Sequence, residues 1–273
     1  MPRMTNWIAL KSRLPFTKSR SRVAVVRLSG SIGTGRASLN DEALAPILEK
    51  AFKKGKPSAV ALLINSPGGS PVQSSLIAAR IRRLAEEKNV PVHAFVEDVA
   101  ASGGYWLAAA ADDIWVDFGS IVGSIGVISA GFGAPVFLAR QGIERRVHTS
   151  GKSKSTLDPF LPQKDEDVAR LKDILEDLHS GFIAYVKERR GDKLSDNPDI
   201  FTGEFWLGRR AAKLGLVDGE AHMMPKLQEL YGKKVRLMRY GPKKGLLSRF
   251  GATMAEDAIA AVEERAQYAR FGL

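Results

Sequence analysis

Short apolar runs alternate with amphipathic segments through the first hundred residues of the chain. Three runs, at residues 23–30, 58–65 and 90–98, are rich in β-branched residues, and small or turn-forming residues follow them. This pattern predicts buried strands. The segments between them, residues 38–54 and 71–88, predict helices. Because strands and helices alternate, we expect an α/β fold with a parallel sheet and helices packed outside it.

The rest of the chain continues this alternation with shorter strands. The predicted strands are 113–117, 123–129 and 233–240, and the predicted helices are 163–190, 202–215 and 252–271. No long low-complexity linker or convincing repeat interrupts the pattern. We therefore expect a single α/β domain over residues 23–240, between a basic N-terminal arm (1–22) and a C-terminal amphipathic helix (241–273).

Positive charge is concentrated near the two ends of the chain. Lysine and arginine number 41 against 30 acidic residues, and the formal net charge is +11 at pH 7. The N-terminal composition fits a solvated tail. It also fits an arm that lies on an anionic membrane with Trp7 inserted. No stretch reaches the ~18 apolar residues of a membrane span. The chain has no cysteine, which excludes disulfides and a cysteine nucleophile.

Two of the predicted strands are followed by paired glycines, Gly68–Gly69 in "SPGGSP" and Gly103–Gly104 in "ASGGYW". The carboxyl ends of parallel strands meet at one edge of a sheet, where ligands bind. The two turns together predict backbone N–H groups that point into one crevice and stabilise an oxyanion. Each pair alone also fits an ordinary tight turn. Ser102, directly before the second pair, is then either a helix cap or a nucleophile.

A serine nucleophile needs a base, and the sequence offers histidines and lysines. The motif "TSGKSKSTLDPF" sets Lys152 and Lys154 among small hydroxyl residues, before a rigid apolar stretch. A lysine base must be neutral, and lowering a lysine pKa from ~10.4 to ~7 costs about 4–5 kcal/mol, which burial can supply. The histidines have no neighbours typical of a catalytic or metal site, and structural roles are expected for all four: His93, His148, His179 and His222.

Four motifs in order, "INSPGGS", "ASGGYWLAAAADDIWVD", "GSIGVI" and "GKSKSTLDPF", followed by "GLVD", resemble those of the signal peptide peptidase A family of serine peptidases. The resemblance covers most of residues 23–240. It implies a Clp-protease/crotonase-like fold, which is a spiral of strand–strand–helix units, and a Ser–Lys dyad. Carried over by motif, the site residues are Ser102 (nucleophile), Lys154 rather than Lys152 (base), Ser124 (lysine-orienting), and Gly69, Gly68 and Gly103 (oxyanion N–H groups).

The same resemblance implies substrates and an assembly. Family members cut hydrophobic peptides such as signal-peptide remnants and form rings or domes, so a homo-oligomer is expected, without a metal or a cofactor. This sequence departs from typical members in two respects. Typical members carry an N-terminal transmembrane anchor, for which no apolar stretch here is long enough, and Ser153 stands where an aromatic residue is expected. We therefore expect a short cytoplasmic form, with the basic arm as a peripheral contact at the inner face of the cell membrane, and no nucleic-acid partner.

Three other functions stay open at this point. A crotonase-like acyl-CoA enzyme would use the same N–H groups, with Glu97 or Asp98 as its base. A Clp-like Ser-His-Asp peptidase would need a histidine downstream of Ser102, and nothing around His148 supports that role. A non-catalytic scaffold would use the positive charge to bind a membrane or nucleic acid, but the basic ends lack the interleaved aromatic residues of a nucleic-acid platform.

Overall fold

The architecture comes from a computed structural model that describes residues 20–35, 38–151, 154–241, 262 and 265–273. Most of the predicted N-terminal arm and of the predicted C-terminal helix therefore lies outside the described residues. The strands are β1 (Arg22–Ser29), β2 (Ala59–Ser66), β3 (Val92–Ala101), β4 (Asp113–Val116), β5 (Ile121–Gly123), β6 (Phe205–Leu207), β7 (Gly219–Glu220) and β8 (Arg236–Tyr240). The helices are α1 (Asp41–Lys53), α2 (Pro71–Lys88), α3 (Gly103–Ala109), α4 (Pro135–Arg140), α5 (Asp165–Arg190), α6 (Gly208–Lys213) and α7 (Met223–Tyr231).

The strands form one sheet. Six of them run in the order β6-β5-β3-β2-β1-β8, and β4 pairs with β3 and with β7 beside this path. Every pairing in the described part of the sheet is parallel except that of β5 with β6. The α/β architecture and the parallel pairing predicted from the alternating pattern are thus confirmed. No helix in the described ranges has the length and apolarity that crossing a membrane requires.

Helices cover both faces of the sheet, which explains the continuous apolar runs of its central strands. In β1, Ala24, Val26 and Leu28 face the main core, where α1, α2, α3 and α5 pack. Val23 and Val25 face a smaller core under α7. Each large aliphatic side chain that is fully buried contributes about 1.5–3 kcal/mol, so these runs hold the centre of the sheet in place.

Two predicted elements differ from the structure. The strand predicted at 123–129 lies earlier and ends at Gly123, because Gly123 and Ser124 have φ values of 108° and 53°, which an extended strand does not have. The helix predicted at 202–215 begins only at Gly208, since the residues before it form β6, which pairs antiparallel with β5. The first difference matters for the site, because the early turn leaves Ser124 at the end of the sheet.

A buried ion pair ties the end of α5 to the sheet. Arg190 Nη1 donates to Asp218 Oδ2 at 2.7 Å, and Arg190 Nε donates to the carbonyl of Gly215 at 2.9 Å. Asp218 also accepts hydrogen bonds from Lys193 Nζ at 2.6 Å and from the N–H of Ile114 in β4 at 2.8 Å. The aspartate of the "GLVD" motif therefore has a structural role, which is to join α5 to β4.

Replacing Asp218 with asparagine is expected to lower the free energy of unfolding by about 3–5 kcal/mol. The Arg190 side chain is only 2% exposed and would lose its counter-charge. Burial alone raises the pKa of Asp218, but hydrogen bonds from Arg190 and Lys193 outweigh it and hold this pKa below its ordinary value. Because the folded pKa is lowered, the stabilisation is present above the unfolded pKa of ~3.9 and is lost as the pH falls through the folded pKa.

Urea unfolding of wild type and Asp218→Asn, at neutral pH and in acid, measures this effect. The gap between the two proteins should be widest at neutral pH and should narrow in acid. Asp192 is exposed and lies beside Lys193, so Asp192→Asn is the matched control and should unfold like wild type. Equal stability of Asp218→Asn and Asp192→Asn would show that the buried pair does not hold the fold.

Candidate active site

The carboxyl ends of three neighbouring strands meet at one edge of the sheet. Strands β3 and β5 pair in register, Ala101 with Gly123, so that Ser102 and Ser124 follow them side by side. The turn at 67–69 follows β2, which is the other neighbour of β3. The two glycine-bearing turns therefore lie together, as their positions after buried strands predict.

Ser102 lies at the turn between β3 and α3 in a backbone conformation that L-residues rarely adopt. Its φ is 51° and its ψ is −122°, a conformation that costs of the order of 1–3 kcal/mol. Its N–H donates to Gly123 O at 2.8 Å, and its carbonyl accepts from the N–H of Trp106 at 3.0 Å. Ser102 occupies the cap position of α3, but its side chain caps none of that helix's N–H groups, all of which are described. Ser102 is half-buried and lines a cavity.

The two glycines after Ser102 are required by close packing. Helix α3 begins against the turn that follows β2. A Cβ atom on Gly103 would collide with Ser74 Oγ, and a Cβ atom on Gly104 would collide with the carbonyl of Ser66. A side chain at Gly104 would push α3 away from the end of β2, and one at Gly103 would displace the Ser74 side chain of α2. The turn after β2 also lies against the backbone around Ser102, because a Cβ atom on Gly68 would collide with Ala101 O and Gly103 N.

Backbone N–H groups beside Ser102 are available to a ligand. Gly103 is the first residue of α3, and the N–H groups of a helix's first turn have no partner within the helix. Gly68 N–H donates to Ser66 Oγ at 3.3 Å, whereas no described residue accepts from the N–H of Gly69. Donors of this kind stabilise an oxyanion when they point at one carbonyl oxygen. Their hydrogen bonding favours Gly69 and Gly103 over Gly68 for that task.

The cavity at this edge of the sheet has a volume of about 410 Å³. It is called the Ser102 cavity below, and Gly69 and Ser124 line it together with Ser102. A hydrogen bond fixes the backbone of Ser124, whose N–H donates to Glu204 O at 2.6 Å. The two serines predicted as nucleophile and lysine-orienting residue thus share one cavity. Its remaining lining residues are Pro67, Gly126, Val127, Ile128, Thr202, Gly203, Gln267 and Arg270.

A smaller apolar pocket of about 90 Å³ adjoins the Ser102 cavity. Ser102 and Gly69 line both spaces, and the wall of the smaller one includes Trp106 and Phe182, whose rings stack with centroids 4.5 Å apart. A pocket of this size and lining accepts one small apolar side chain. The sequence did not single out these two aromatic residues, because their helical spacing is that of ordinary core positions.

Lys154 lies on a different part of the surface. It is exposed, and it lines an open groove with Arg145 and Asp158. No lysine is found among the described residues that line the Ser102 cavity. We call residues 129–164 the lysine arm, and none of its described residues is buried or lines the Ser102 cavity. In a single copy of the chain, Lys154 and the Ser102 cavity are therefore separate sites.

The acidic residues considered for an acyl-CoA enzyme are engaged elsewhere. Glu97 forms hydrogen bonds with Arg27, one of them of 2.9 Å, and Asp98 accepts from Asn65 Nδ2 at 2.6 Å. Both carboxylates line a cavity that Ser102 does not line. The base that such an enzyme would need is thus absent from the described lining of the Ser102 cavity.

All four histidines are described, and none lines the Ser102 cavity. Three of them are tied to other elements, which agrees with the structural roles expected for them, and His148 is exposed. The pairs are His93 with Asp113 and Tyr231, His179 with the carbonyl of Ile125, and His222 with Asp117. No histidine is therefore in position to serve Ser102 in a Ser-His-Asp arrangement.

Two comparisons of sequence relate the chain to known peptidases. A profile of peptidase family S49 matches residues 84–231, which is more than half of the chain. A putative protease of Methanocaldococcus jannaschii is 32% identical, over 76% of this chain and 67% of its own length. The matched region contains Ser102, Ser124 and Lys154.

A longer relative carries a different name. A protein of Brucella melitensis named Na(+)/H(+) antiporter NhaA is 49% identical over 97% of this chain, but the match covers only 39% of that protein. The chain thus spans about two fifths of the length of the first curated relatives that it matches. The antiporter name therefore belongs to a longer protein, and this chain matches less than half of it.

A solved structure shows the fold. The membrane-bound stomatin-specific protease, solved with a substrate peptide, superposes with a TM-score of 0.53 at 16% identity, over 83% of this chain and 94% of that one. At this identity the likeness concerns the fold alone, and it confirms the Clp-protease/crotonase-like architecture. The profile match over residues 84–231 and the relative at 32% identity show that the chain belongs to peptidase family S49, as its motifs predict.

Proposed function

We propose that the protein is a serine endopeptidase that cleaves apolar peptides, with Ser102 as its nucleophile. The observation that carries the proposal is the environment of the Ser102 hydroxyl. It lies at a cavity of about 410 Å³, on a turn with a φ of 51°, beside the available N–H groups of Gly69 and Gly103. A serine in these surroundings has what acyl transfer needs except a base.

In the proposed reaction, Lys154 is that base. Its neutral amine takes the proton from Ser102 Oγ as this oxygen attacks the peptide carbonyl, and the N–H groups of Gly69 and Gly103 hold the resulting oxyanion. The Lys154 ammonium then gives the proton to the leaving amine as the C–N bond breaks, which leaves an acyl-serine. Water, deprotonated by the same lysine, releases the acid and restores Ser102. Ser124 lines the same cavity, which supports a role in orienting the lysine by a hydrogen bond.

A second copy of the chain supplies Lys154 in this proposal. A lysine acts as a base only where burial disfavours its charged form, and Lys154 is exposed. The lysine arm also exposes Phe132 by 97%, Val136 by 63% and Phe137 by 62%. Exposed apolar side chains in such number favour association. Docking the arm of one copy at the Ser102 cavity of another would bury the lysine and the apolar residues together, which supports a homo-oligomer.

The small pocket beside Ser102 supports an apolar substrate. Trp106 and Phe182 give it an aromatic wall that would hold one apolar side chain next to the bond that is cut. Signal-peptide remnants and misfolded or membrane-derived polypeptides are rich in such side chains, and we propose them as the substrate class. A cytoplasmic setting, with peripheral contact of residues 1–22 at the membrane, is the corresponding proposal for where the enzyme works.

Trapping the acyl-enzyme tests this function. Wild-type protein is incubated with an activated ester of a short apolar peptide, quenched in acid and digested, and the added mass is located by mass spectrometry. We expect the acyl group on Ser102 and, in parallel, cleavage of apolar peptides without an added metal or cofactor. Absence of both an acyl group on Ser102 and cleavage, with and without lipid vesicles, would refute the peptidase.

A further inference from the structure

The C-terminal segment, residues 265–273, packs beside the Ser102 cavity. Tyr268 Oη donates to the carbonyl of Asn65 at the end of β2, at 2.7 Å. Phe271 is 9% exposed, and its ring meets that of Phe205 edge to face with centroids 5.2 Å apart. The other side chains packed around Phe271 are Val99, Ala101, Ile121 and Tyr268. The end of the chain is therefore anchored at the same strand ends that carry the site.

This anchoring brings Gln267 and Arg270 into the lining of the Ser102 cavity. Arg270 is the one charged side chain among the described residues that line it. The guanidinium forms no ion pair with a described residue, and its carbon lies over the ring of Phe271, 5.9 Å from the ring centroid. Arginine keeps its charge at any physiological pH, and its fork of N–H donors matches the oxygens of a carboxylate. A cation that no described carboxylate pairs with thus lies at the cavity that contains the nucleophile.

We propose that Arg270 binds a carboxylate of the peptide substrate and so selects which peptides are cut. This inference rests on the proposed peptidase function of the same cavity. The Ser102 cavity and the small apolar pocket meet at Ser102, Gly69 and neighbouring residues, so one extended peptide can reach both. The pocket would take an apolar side chain, and Arg270 would take a carboxylate from another position. The two contacts together fix the direction and register of the peptide over Ser102.

The carboxylate has two chemical sources, an acidic side chain and the free C-terminus of a short peptide. Binding to Ser102→Ala protein separates them, because this variant retains the cavity without cutting the probe. The probes are fluorescent apolar peptides with glutamate or glutamine scanned along the sequence, each made with a free or an amidated C-terminus. We expect a peptide with the correctly placed carboxylate to bind about tenfold more tightly than its neutral counterpart. Whichever substitution removes the preference identifies the source.

Variants of Arg270 in the Ser102→Ala background then test the residue. Arg270→Gln is expected to remove the tenfold preference, Arg270→Glu to reverse it, and Arg270→Lys to retain part of it, since a charge without the planar fork remains. Arg265 is an exposed arginine on the same segment and outside the cavity lining, so Arg265→Gln is the matched control and should keep the full preference.

Each outcome decides the inference. A preference that survives Arg270→Gln, or equal binding of all probes to the parent protein, overturns it. Retention in Arg270→Lys and Arg265→Gln shows that a loss in Arg270→Gln is not a folding defect. Cleavage by the protein with Ser102 intact is measured separately. Arg270-dependent binding without cleavage would support carboxylate recognition and refute the peptidase. Cleavage without any charge preference would support the peptidase and refute carboxylate recognition.

Discussion

Replacing Ser102 or Lys154 with alanine is expected to lower kcat/KM for an apolar peptide by about 10⁴–10⁶-fold in each case. Without the serine no acyl-enzyme forms, and without the lysine the hydroxyl keeps its proton at neutral pH. The two groups act as one unit, so removing both is expected to lower kcat/KM no further than removing either one alone. Cleavage of a fluorogenic apolar peptide measures the loss, and circular dichroism shows that each variant is folded.

Lys152 provides a matched control for the base. It lies two residues from Lys154 in the same motif, carries the same charge and is outside the described residues. Lys152→Ala is expected to stay within a few-fold of wild type. If Lys154→Ala remained active and Lys152→Ala lost activity, the base would be Lys152 and not Lys154. If Ser102→Ala remained active, Ser102 would not be the nucleophile, and the proposed mechanism would be wrong.

The part of the site that directly follows the strands was predictable from the sequence. Ser102 and both glycine pairs come immediately after buried apolar runs, and neighbouring parallel strands end at the same edge of a sheet. A local signal and a general rule of topology were therefore sufficient to place these turns together. What the sequence left open, whether Ser102 caps α3, depends on one hydroxyl orientation, and the structure shows no such cap.

The walls of the cavity were not predictable in this way. Trp106 and Phe182 lie on α3 and α5, far apart in the chain, and only the packing of those helices brings their rings together. Arg270 belongs to a C-terminal segment that looked like a plain amphipathic helix, and its position follows from the burial of Phe271. Such contacts depend on tertiary packing, which hydrophobic periodicity does not encode.

Ser124 shows a related limit. The motif places it near the site, but the apolar residues after it favoured a longer strand, at 123–129. The positive φ values of Gly123 and Ser124 end the strand early, and antiparallel pairing with β6 fixes the turn. Pairing with a strand about eighty residues later overrides the local preference.

Mixing two inactive variants is expected to restore activity, because the proposed site takes Ser102 from one copy and Lys154 from another. Ser102→Ala protein still carries the lysine, and Lys154→Ala protein still carries the serine. If equal amounts assemble at random, half of the serines are intact and half of those meet an intact lysine. The unselected mixture should therefore reach about a quarter of wild-type activity, provided that the contact joins different copies. Assemblies that contain both variants should reach about a quarter to a half, with the larger value for a dimer.

Co-expression of the two variants with different affinity tags, followed by purification through both tags, gives the mixed assembly on which cleavage is measured. The matched control pairs Lys154→Ala with the double variant Ser102→Ala/Lys154→Ala, an assembly that contains serines but no lysine at position 154, and it should stay inactive. The exposure of Lys154 and the apolar surface of the lysine arm are the reasons to expect recovery in the first mixture alone. A doubly tagged assembly as inactive as its parents would mean that each chain folds its own arm over its own Ser102, so that both residues of the dyad must come from the same copy.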